Sequence, residues 1–257
     1  MKNKAALLAA PALGLGIVML GATPAMAIDG SPSYSAMLDE INNSGATGEV
    51  WIDVDGTTAT VTLNASGLAA EFDGAPYPHV QHIHIGAQGT CPSESADANG
   101  DGIISTTEGV LSYGDIGTTL SLGQADKSPA GGLDLAAAPS GATIDYEETF
   151  ELDQATADSL EAGTAVVVVH GLDPATQPES GMSPSDLVPE LPLAATSPAL
   201  CGALDVAPAG GVDTDVTTVA AAGTEGSALG AVALGGTLAL MTAAGVYVVR
   251  RRVVRDN

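Results

Sequence analysis

The chain has 257 residues, of which seven are lysine or arginine and 31 are aspartate or glutamate, so its formal net charge is −24. Nucleic-acid binding is excluded, because contacts to phosphate groups need clustered basic side chains. With 32 glycines, 15 prolines and eight aromatic residues, the composition favours many turns over long helices.

The N-terminus has the pattern of an export signal. Lys2 and Lys4 precede an apolar stretch that reaches about Leu20, and Ala25–Ala27 has the small residues of a cleavage site. We predict that residues 1–27 are a signal peptide, with an uncleaved anchor as the alternative. The protein is therefore expected to be exported.

Residues 28–204 are predicted to form one domain of β-strands, because apolar residues recur there with a period of two. The clearest pair is a hairpin in which Glu49–Val54 and Thr58–Leu63 flank an Asp55-Gly56 turn. The other strand candidates are His79–Ile85, Thr118–Leu122, Asp145–Leu152 and Ala165–His170. Only one short helix, Ala155–Glu161, is expected. This pattern favours an all-β fold, an antiparallel Greek-key β-sandwich or a Greek-key barrel of about seven or eight strands.

Three of the four histidines lie close together in this domain, at His79, His82 and His84. In a strand, His82 and His84 point to the same face, and His170 at the end of a valine run could join them from a neighbouring strand. Three imidazoles suit copper or zinc. We therefore consider a copper site at His82, His84 and His170, with metal-free packing of these side chains as the alternative. His79 is expected to face away from the pair and to have a structural, hydrogen-bonding role.

The chain has two cysteines, Cys91 and Cys201. Because the protein is expected to be exported, we predict that they form a disulfide bond, with two free thiols as the alternative. The bond would close a loop of about 110 residues and would tie the loop after the histidine strand to the last strand of the domain.

The segment Asp97–Glu108 fits the twelve-residue calcium loop of an EF-hand, with a glycine at the sixth position. The predicted calcium ligands are the side chains of Asp97, Asn99, Asp101 and Glu108, the carbonyl of Ile103, and Ser105 through a water molecule. The alternative is an acidic turn that binds no ion. Because Pro92 and Gly109 interrupt the flanks, we expect a structural calcium ion rather than a helix pair that opens on binding.

The C-terminal part is predicted to hold the domain at a membrane. Residues 205–227 are small, polar and rich in Gly, Pro and Thr, as in a flexible stalk. Residues 228–249 carry no charge and would span ~33 Å as a helix, which is enough to cross a bilayer core. The arginines of residues 250–257 indicate a cytoplasmic tail, so the domain faces outward. A buried soluble helix is the alternative to the membrane span.

The outward part is strongly acidic. Between Ile28 and Glu225 lie 30 of the 31 acidic residues but only one basic residue, Lys127, so this part carries a net charge of −29. Such a field repels anions and attracts cations. Solubility or adaptation to salt is an alternative reason for the charge.

The order of these motifs resembles two known families. The order H-x-x-H-x-H-x-G from His79, then Cys91, His170 and Cys201, is similar to that of Cu/Zn superoxide dismutase. Thr47–Leu68 followed by Gln81–Gly86 resembles the CHRD (chordin-type) domain of exported bacterial proteins. Both resemblances imply a β-sandwich, and together they span roughly residues 45–204.

The dismutase resemblance implies that His82, His84 and His170 are copper ligands, and that His79 is a structural histidine. The chain departs from that family in two ways. It has no further histidine for a zinc site or a metal bridge, and Pro198 stands where the family has an arginine before the second cysteine. With no guanidinium to attract superoxide and a strongly negative surface, efficient dismutation is not expected.

Three functions are therefore considered from the sequence. The first is a membrane-anchored, non-enzymatic surface module that is ordered by calcium and binds an unknown extracellular ligand or a metal ion. The alternative is a copper-dependent redox protein related to superoxide dismutase. The third is an acidic envelope protein whose charge matters more than any site.

Overall fold

The structure is a computed structural model of the chain, and it describes residues 31–207. The predicted signal peptide, the membrane span of residues 228–249, the basic tail and nearly all of the stalk lie outside this part. Within residues 31–207, no helix is both long enough and apolar enough to cross a membrane.

The described chain is mostly antiparallel β-sheet. Its strands are β1 (Ser33–Glu40), β2 (Thr47–Asp55), β3 (Thr58–Ser66), β4 (Glu71–Phe72), β5 (Ala75–Pro76), β6 (Gln81–Ile85), β7 (Asp115–Thr119), β8 (Thr143–Glu151), β9 (Val166–His170), β10 (Pro198–Ala203) and β11 (Asp205–Val206). Nine of them form one sheet in the order β7-β6-β9-β10-β1-β2-β3-β8, with β11 beside β1, and β4 pairs with β5.

The large sheet curls around one hydrophobic core. Strand β1 joins its two halves, because residues 34–38 pair with β2 whereas Asp39 and Glu40 pair with β10. In β2 and β3 every second side chain is buried, as the alternating sequence requires. Ile83 of β6 and Val167 of β9 contribute to the same core from the other half. A half-buried sheet therefore explains why the sequence alternates.

The predicted strands are largely confirmed, with shifts at their ends. The hairpin of β2 and β3 turns at Asp55-Gly56 as expected, and β8 and β9 lie within two residues of their predicted bounds. Strand β6 begins at Gln81 rather than His79, and β7 lies three residues earlier than predicted. No bounds were predicted for β1, β10 or the two-residue strands β4, β5 and β11, and the burial of β1 does not alternate regularly.

The expectation of a single helix was wrong. Besides the expected α2 (Gln154–Glu161), the described chain contains α1 (Thr106–Tyr113) and the one-turn α3 (Leu193–Thr196). Helix α1 begins with a capping box, in which the Ser105 hydroxyl accepts from the Glu108 amide and the Glu108 carboxylate accepts from the Ser105 amide. Gly109 lies inside α1 rather than ending the flank of the calcium motif.

The predicted disulfide bond is confirmed. Cys91 and Cys201 are bonded, with their Cα atoms 5.8 Å apart. Cys201 lies on β10 opposite Val168 of β9, whereas Cys91 lies in the long connection between β6 and β7. The bond thus fastens this connection to the centre of the sheet. The sheet also extends past the predicted domain end, because Asp205 pairs with Ser35 of β1.

Candidate metal centre

The pairing of β6 with β9 places three histidines together. His82 lies opposite Val168 and His84 opposite Val166, so His170, two residues beyond Val168, projects from the same face. The ring centroids are 5.2 to 6.0 Å apart. We call His82, His84 and His170 the histidine trio. The expectation that these three side chains meet is confirmed.

The histidine trio lies on the face of the sheet opposite the main core. The intervening Ile83 and Val167 point into that core, whereas Val166 and Val168 form a smaller cluster with Tyr113 of α1. The connections on either side of β7 and the segment before β10 cover this outer face, so the imidazoles are buried, each at most 3% exposed. The trio is therefore enclosed between the sheet and its loops.

Each imidazole of the trio makes one hydrogen bond to a backbone carbonyl. His82 Nε2 donates to the Gly132 carbonyl over 2.9 Å, His84 Nδ1 to Gly114 over 2.8 Å, and His170 Nδ1 to Thr196 over 2.8 Å. A carbonyl oxygen only accepts, so the bonded nitrogen must carry the proton. The tautomer of each ring is thereby fixed.

The other nitrogen of each ring is then a free lone pair. His82 Nδ1, His84 Nε2 and His170 Nε2 are buried and have no hydrogen-bond partner. In each ring, one of the two nitrogens lies within 4.8 Å of a nitrogen of both other rings. Three buried acceptors without a donor are costly unless something binds them. One ion in contact with all three would satisfy them together.

Burial keeps the trio neutral near pH 7. It lowers the pKa of His84 to about 4. Burial, with the nearby His84, lowers that of His170 to about 3. The pKa of His82 also lies well below its ordinary value, because of burial first and then the neighbouring His170 and His84. A neutral imidazole is the form that binds a metal, so no proton has to be displaced.

The carbonyls that hold the rings come from three separate loops. Gly114 ends α1, Gly132 lies between β7 and β8, and Thr196 ends α3. Such partners fix ring orientation and tune a metal site. Sequence reasoning missed all three, because any residue offers a carbonyl. Position 114 requires glycine, because its φ is +96° and a Cβ there would clash with the Ile85 carbonyl oxygen.

His79 has the structural role expected of it. It precedes β6 and is fully buried. Its Nδ1 lies 2.9 Å from the carbonyl oxygen of His170 and its Nε2 lies 2.9 Å from that of Ala69. The ring thus lies between two backbone carbonyls, and His79 braces the backbone of His170 rather than joining the trio.

The segment Asp97–Glu108, which we call the acidic loop, runs from the end of a short 3₁₀ turn into the first turn of α1. Asp97 accepts from the amides of residues 100–102, Asn99 from that of Asp101, and Asp101 from that of Ile103. Glu108 accepts from the amides of residues 98, 99 and 105. The side chains of the predicted calcium ligands thus face the inside of one loop.

The remaining two predicted calcium ligands are the carbonyl of Ile103 and Ser105. The Ile103 residue is fully buried in the main core, and the Ser105 hydroxyl donates to Asp186 over 2.9 Å. Among residues 31–207, the histidine trio is the only group of three or more His, Cys, Asp or Glu residues whose ligand atoms lie within 4.8 Å of one another. Calcium binding by the acidic loop stays a prediction.

The histidine trio has no cationic neighbour. Lys127, the one lysine or arginine in residues 31–207, donates to the Gly123 carbonyl and lies 5.4 Å from the Phe150 ring centroid. Pro198 is buried in β10, opposite His170. No guanidinium or ammonium group of the described chain therefore faces the site.

Comparisons with known proteins leave the family open. No family model and no curated protein matches the chain. Among solved structures, it is similar to a mutant of superoxide dismutase 5 from Candida albicans, with 14% sequence identity and a TM-score of 0.37 over 73% of this chain and 99% of that chain. This similarity is too weak to support a statement about activity, and the CHRD resemblance gains no support.

Proposed function

We propose that this protein is an exported metal-binding module whose histidine trio holds one copper or zinc ion. The observation that carries the proposal is the pattern of ring nitrogens: one of each ring is bonded to a carbonyl, and the other is buried and unpaired. Imidazole nitrogens suit both metals, and Cu²⁺ binds such sites more tightly than Zn²⁺ does. A bound copper ion would supply Lewis acidity and one-electron redox chemistry.

Substitution of a single trio member tests the proposal. We expect the full chain to bind one Cu²⁺ per molecule. His84→Gln should weaken copper binding by more than about 100-fold, because even substitutions of residues that only hold the ligands lower metal affinity 10- to 100-fold. Isothermal titration calorimetry and metal analysis measure both quantities.

The matched control is His79→Gln, which changes a buried histidine whose nitrogens already face carbonyls. It should reduce stability but leave the stoichiometry at one. If His79→Gln and His84→Gln lose the metal equally, or the unaltered chain binds none, the trio is not a metal site.

The same surroundings disfavour superoxide as a substrate. The outward part has a net charge of −29, and the described chain offers no cation near the trio. An anion would be repelled rather than guided to the metal. We therefore propose a binding or structural role instead of dismutation, and a copper-loaded protein should show negligible turnover of superoxide. Turnover comparable to that of a genuine dismutase would support the alternative, a copper-dependent redox enzyme.

We also propose that the acidic loop binds a structural calcium ion. The specific support is that Asp97, Asn99, Asp101 and Glu108 turn toward the inside of one loop. Extracellular modules of this kind bind calcium at about 0.1 to 1 mM. Calcium at 2 mM should raise the melting temperature of the full chain, and a chelator should lower it.

Glu108→Gln separates ion binding from helix capping, because glutamine keeps a capping box while removing the charge. It should abolish the calcium response, whereas Glu94→Gln, in the turn before the loop, should retain it. A melting temperature that is indifferent to calcium would refute the calcium site and leave the trio untouched.

The placement at a cell surface rests on the sequence alone. We propose that residues 228–249 anchor the domain to the membrane and that residues 1–27 direct its export. Fractionation of cells before and after an alkaline carbonate wash tests the anchor, since an integral protein stays in the membrane.

A further inference from the structure

A cavity of about 570 Å³ opens directly onto the histidine trio. The three imidazoles form one wall, and the connections around β7 and the segment between β9 and β10 form the others. This volume lies within the ordinary range for sites of small organic molecules. It is far larger than a metal ion with one small inorganic ligand requires.

The other walls of the cavity are mainly apolar. Val110, Ile116, Leu133, Leu135, Leu187 and Leu191 line it. Three of these leucines are unusually accessible, at 51% for Leu133, 41% for Leu135 and 44% for Leu187. Single exposed leucines are common, but several around one cavity of this size indicate a binding site.

The polar groups on the walls have little capacity left for a charged ligand. The Thr106 hydroxyl donates to the Thr196 carbonyl over 2.5 Å, and that of Thr107 donates to Asp186. Asp115 is the one charged residue among those lining the cavity, and it is an anion. The walls of the cavity thus offer an anion no cationic partner.

We propose that this cavity binds a neutral, apolar small molecule of one or two aromatic rings, placed directly against the histidine trio. An anion would lose its hydration without gaining a cationic partner, whereas an apolar ring would gain about 25 cal/mol for each Å² removed from water. The part of this inference that concerns a metal rests on the proposed function, because the ligand would then occupy the space next to the ion.

Two probes that differ in charge test the inference on the metal-free full chain. Indole is neutral and apolar, and indole-3-carboxylate adds one negative charge to the same rings. The chain has only four histidines, so a ¹⁵N-histidine spectrum reports each ring separately. Indole should shift the resonances of the trio and leave His79 unchanged, with an affinity at least tenfold higher than that of the carboxylate.

A pair of leucine substitutions provides the matched control. Leu187 lines the cavity and is 44% exposed, whereas Leu122 is 43% exposed and lies outside the lining. Leu187→Ser should weaken indole binding by about fivefold to tenfold, because it removes apolar contact area. Leu122→Ser should leave it unchanged.

Three results would overturn the inference: no shift of the trio with indole, equal affinity for the carboxylate, or equal losses in the two leucine variants. Failure of the metal proposal looks different. In that case the chain would bind no copper, while indole would still shift the trio in the metal-free protein.

Discussion

The histidine trio and the acidic loop both have the residue spacing of a metal site, but they differ in what their ligand atoms already bind. In the trio, one nitrogen of each ring is buried and has no partner. In the acidic loop, the carboxylates of Asp97 and Glu108 are exposed or half-buried and accept from backbone amides. A bound ion would satisfy the first set, whereas the second is already satisfied by its own loop.

The hydrogen-bond partners of the ligand atoms distinguish the two motifs better than their residue types do. Matching residue types show only that an ion could bind. Unpaired buried acceptors add a free-energy reason for binding, because each costs about 1 to 3 kcal/mol while it is unmatched. Such a reason applies to the trio and is missing for the acidic loop.

The disulfide bond links the two regions, since Cys91 precedes the acidic loop and Cys201 packs against β9, the strand that carries His170. Replacing both cysteines with serine should lower the free energy of unfolding by about 2 to 5 kcal/mol, because a closed loop of 110 residues restricts the unfolded chain. Urea denaturation measures this loss. Hydrogen exchange should increase more in the acidic loop than in β6 and β9. Equal increases would mean that the strands do not hold the trio independently.

The Gly114 carbonyl that orients His84 can be displaced without removing a ligand. In Gly114→Ala the new Cβ would meet the Ile85 carbonyl, so the backbone must move and copper affinity should fall by about 10- to 100-fold. Gly74→Ala is the control, because Gly74 has a similar positive φ of +77° but open space around it. If both variants keep their affinity for copper, the carbonyl has no positioning role.

The stability of the metal-free protein should fall as the pH falls from about 6.5 to 5. The folded trio has pKa values below those of unfolded histidine, so the unfolded chain binds more protons in this range. Each such histidine contributes up to about 1.4 kcal/mol per pH unit. Urea midpoints measured at several pH values should therefore decline less steeply in His170→Gln. An unchanged slope would show that His170 is already protonated in the folded state or exposed to solvent.

Much of the fold was predictable from the sequence. Three local sequence patterns predicted elements that the structure contains: the alternation in β2 and β3, the Asp55-Gly56 turn, and the valine run of β9. The pairing of His82 with His84 on one face also follows from the period of a strand. The contribution of His170 depended on β6 and β9 being neighbours, which spacing alone did not establish.

Other features depend on contacts between distant parts of the chain. The carbonyls of Gly114, Gly132 and Thr196 act through loop geometry, so their residue types carry little information. Helix α1 is a different case, because Ser105 and Glu108 have the spacing of a capping box. The sequence analysis interpreted both residues as calcium ligands, whereas in the structure they form the capping box at the N-terminus of α1.

The central claim is that three neutral imidazoles direct unprotonated nitrogens at one point. A long-range ¹H–¹⁵N spectrum of the metal-free full chain at pH 7, with ¹⁵N-labelled histidine, tests it most directly. The account predicts a proton on Nε2 of His82 and on Nδ1 of both His84 and His170, because those nitrogens donate to carbonyls. Protonation of both nitrogens, or rapid exchange between tautomers in all three rings, would contradict it.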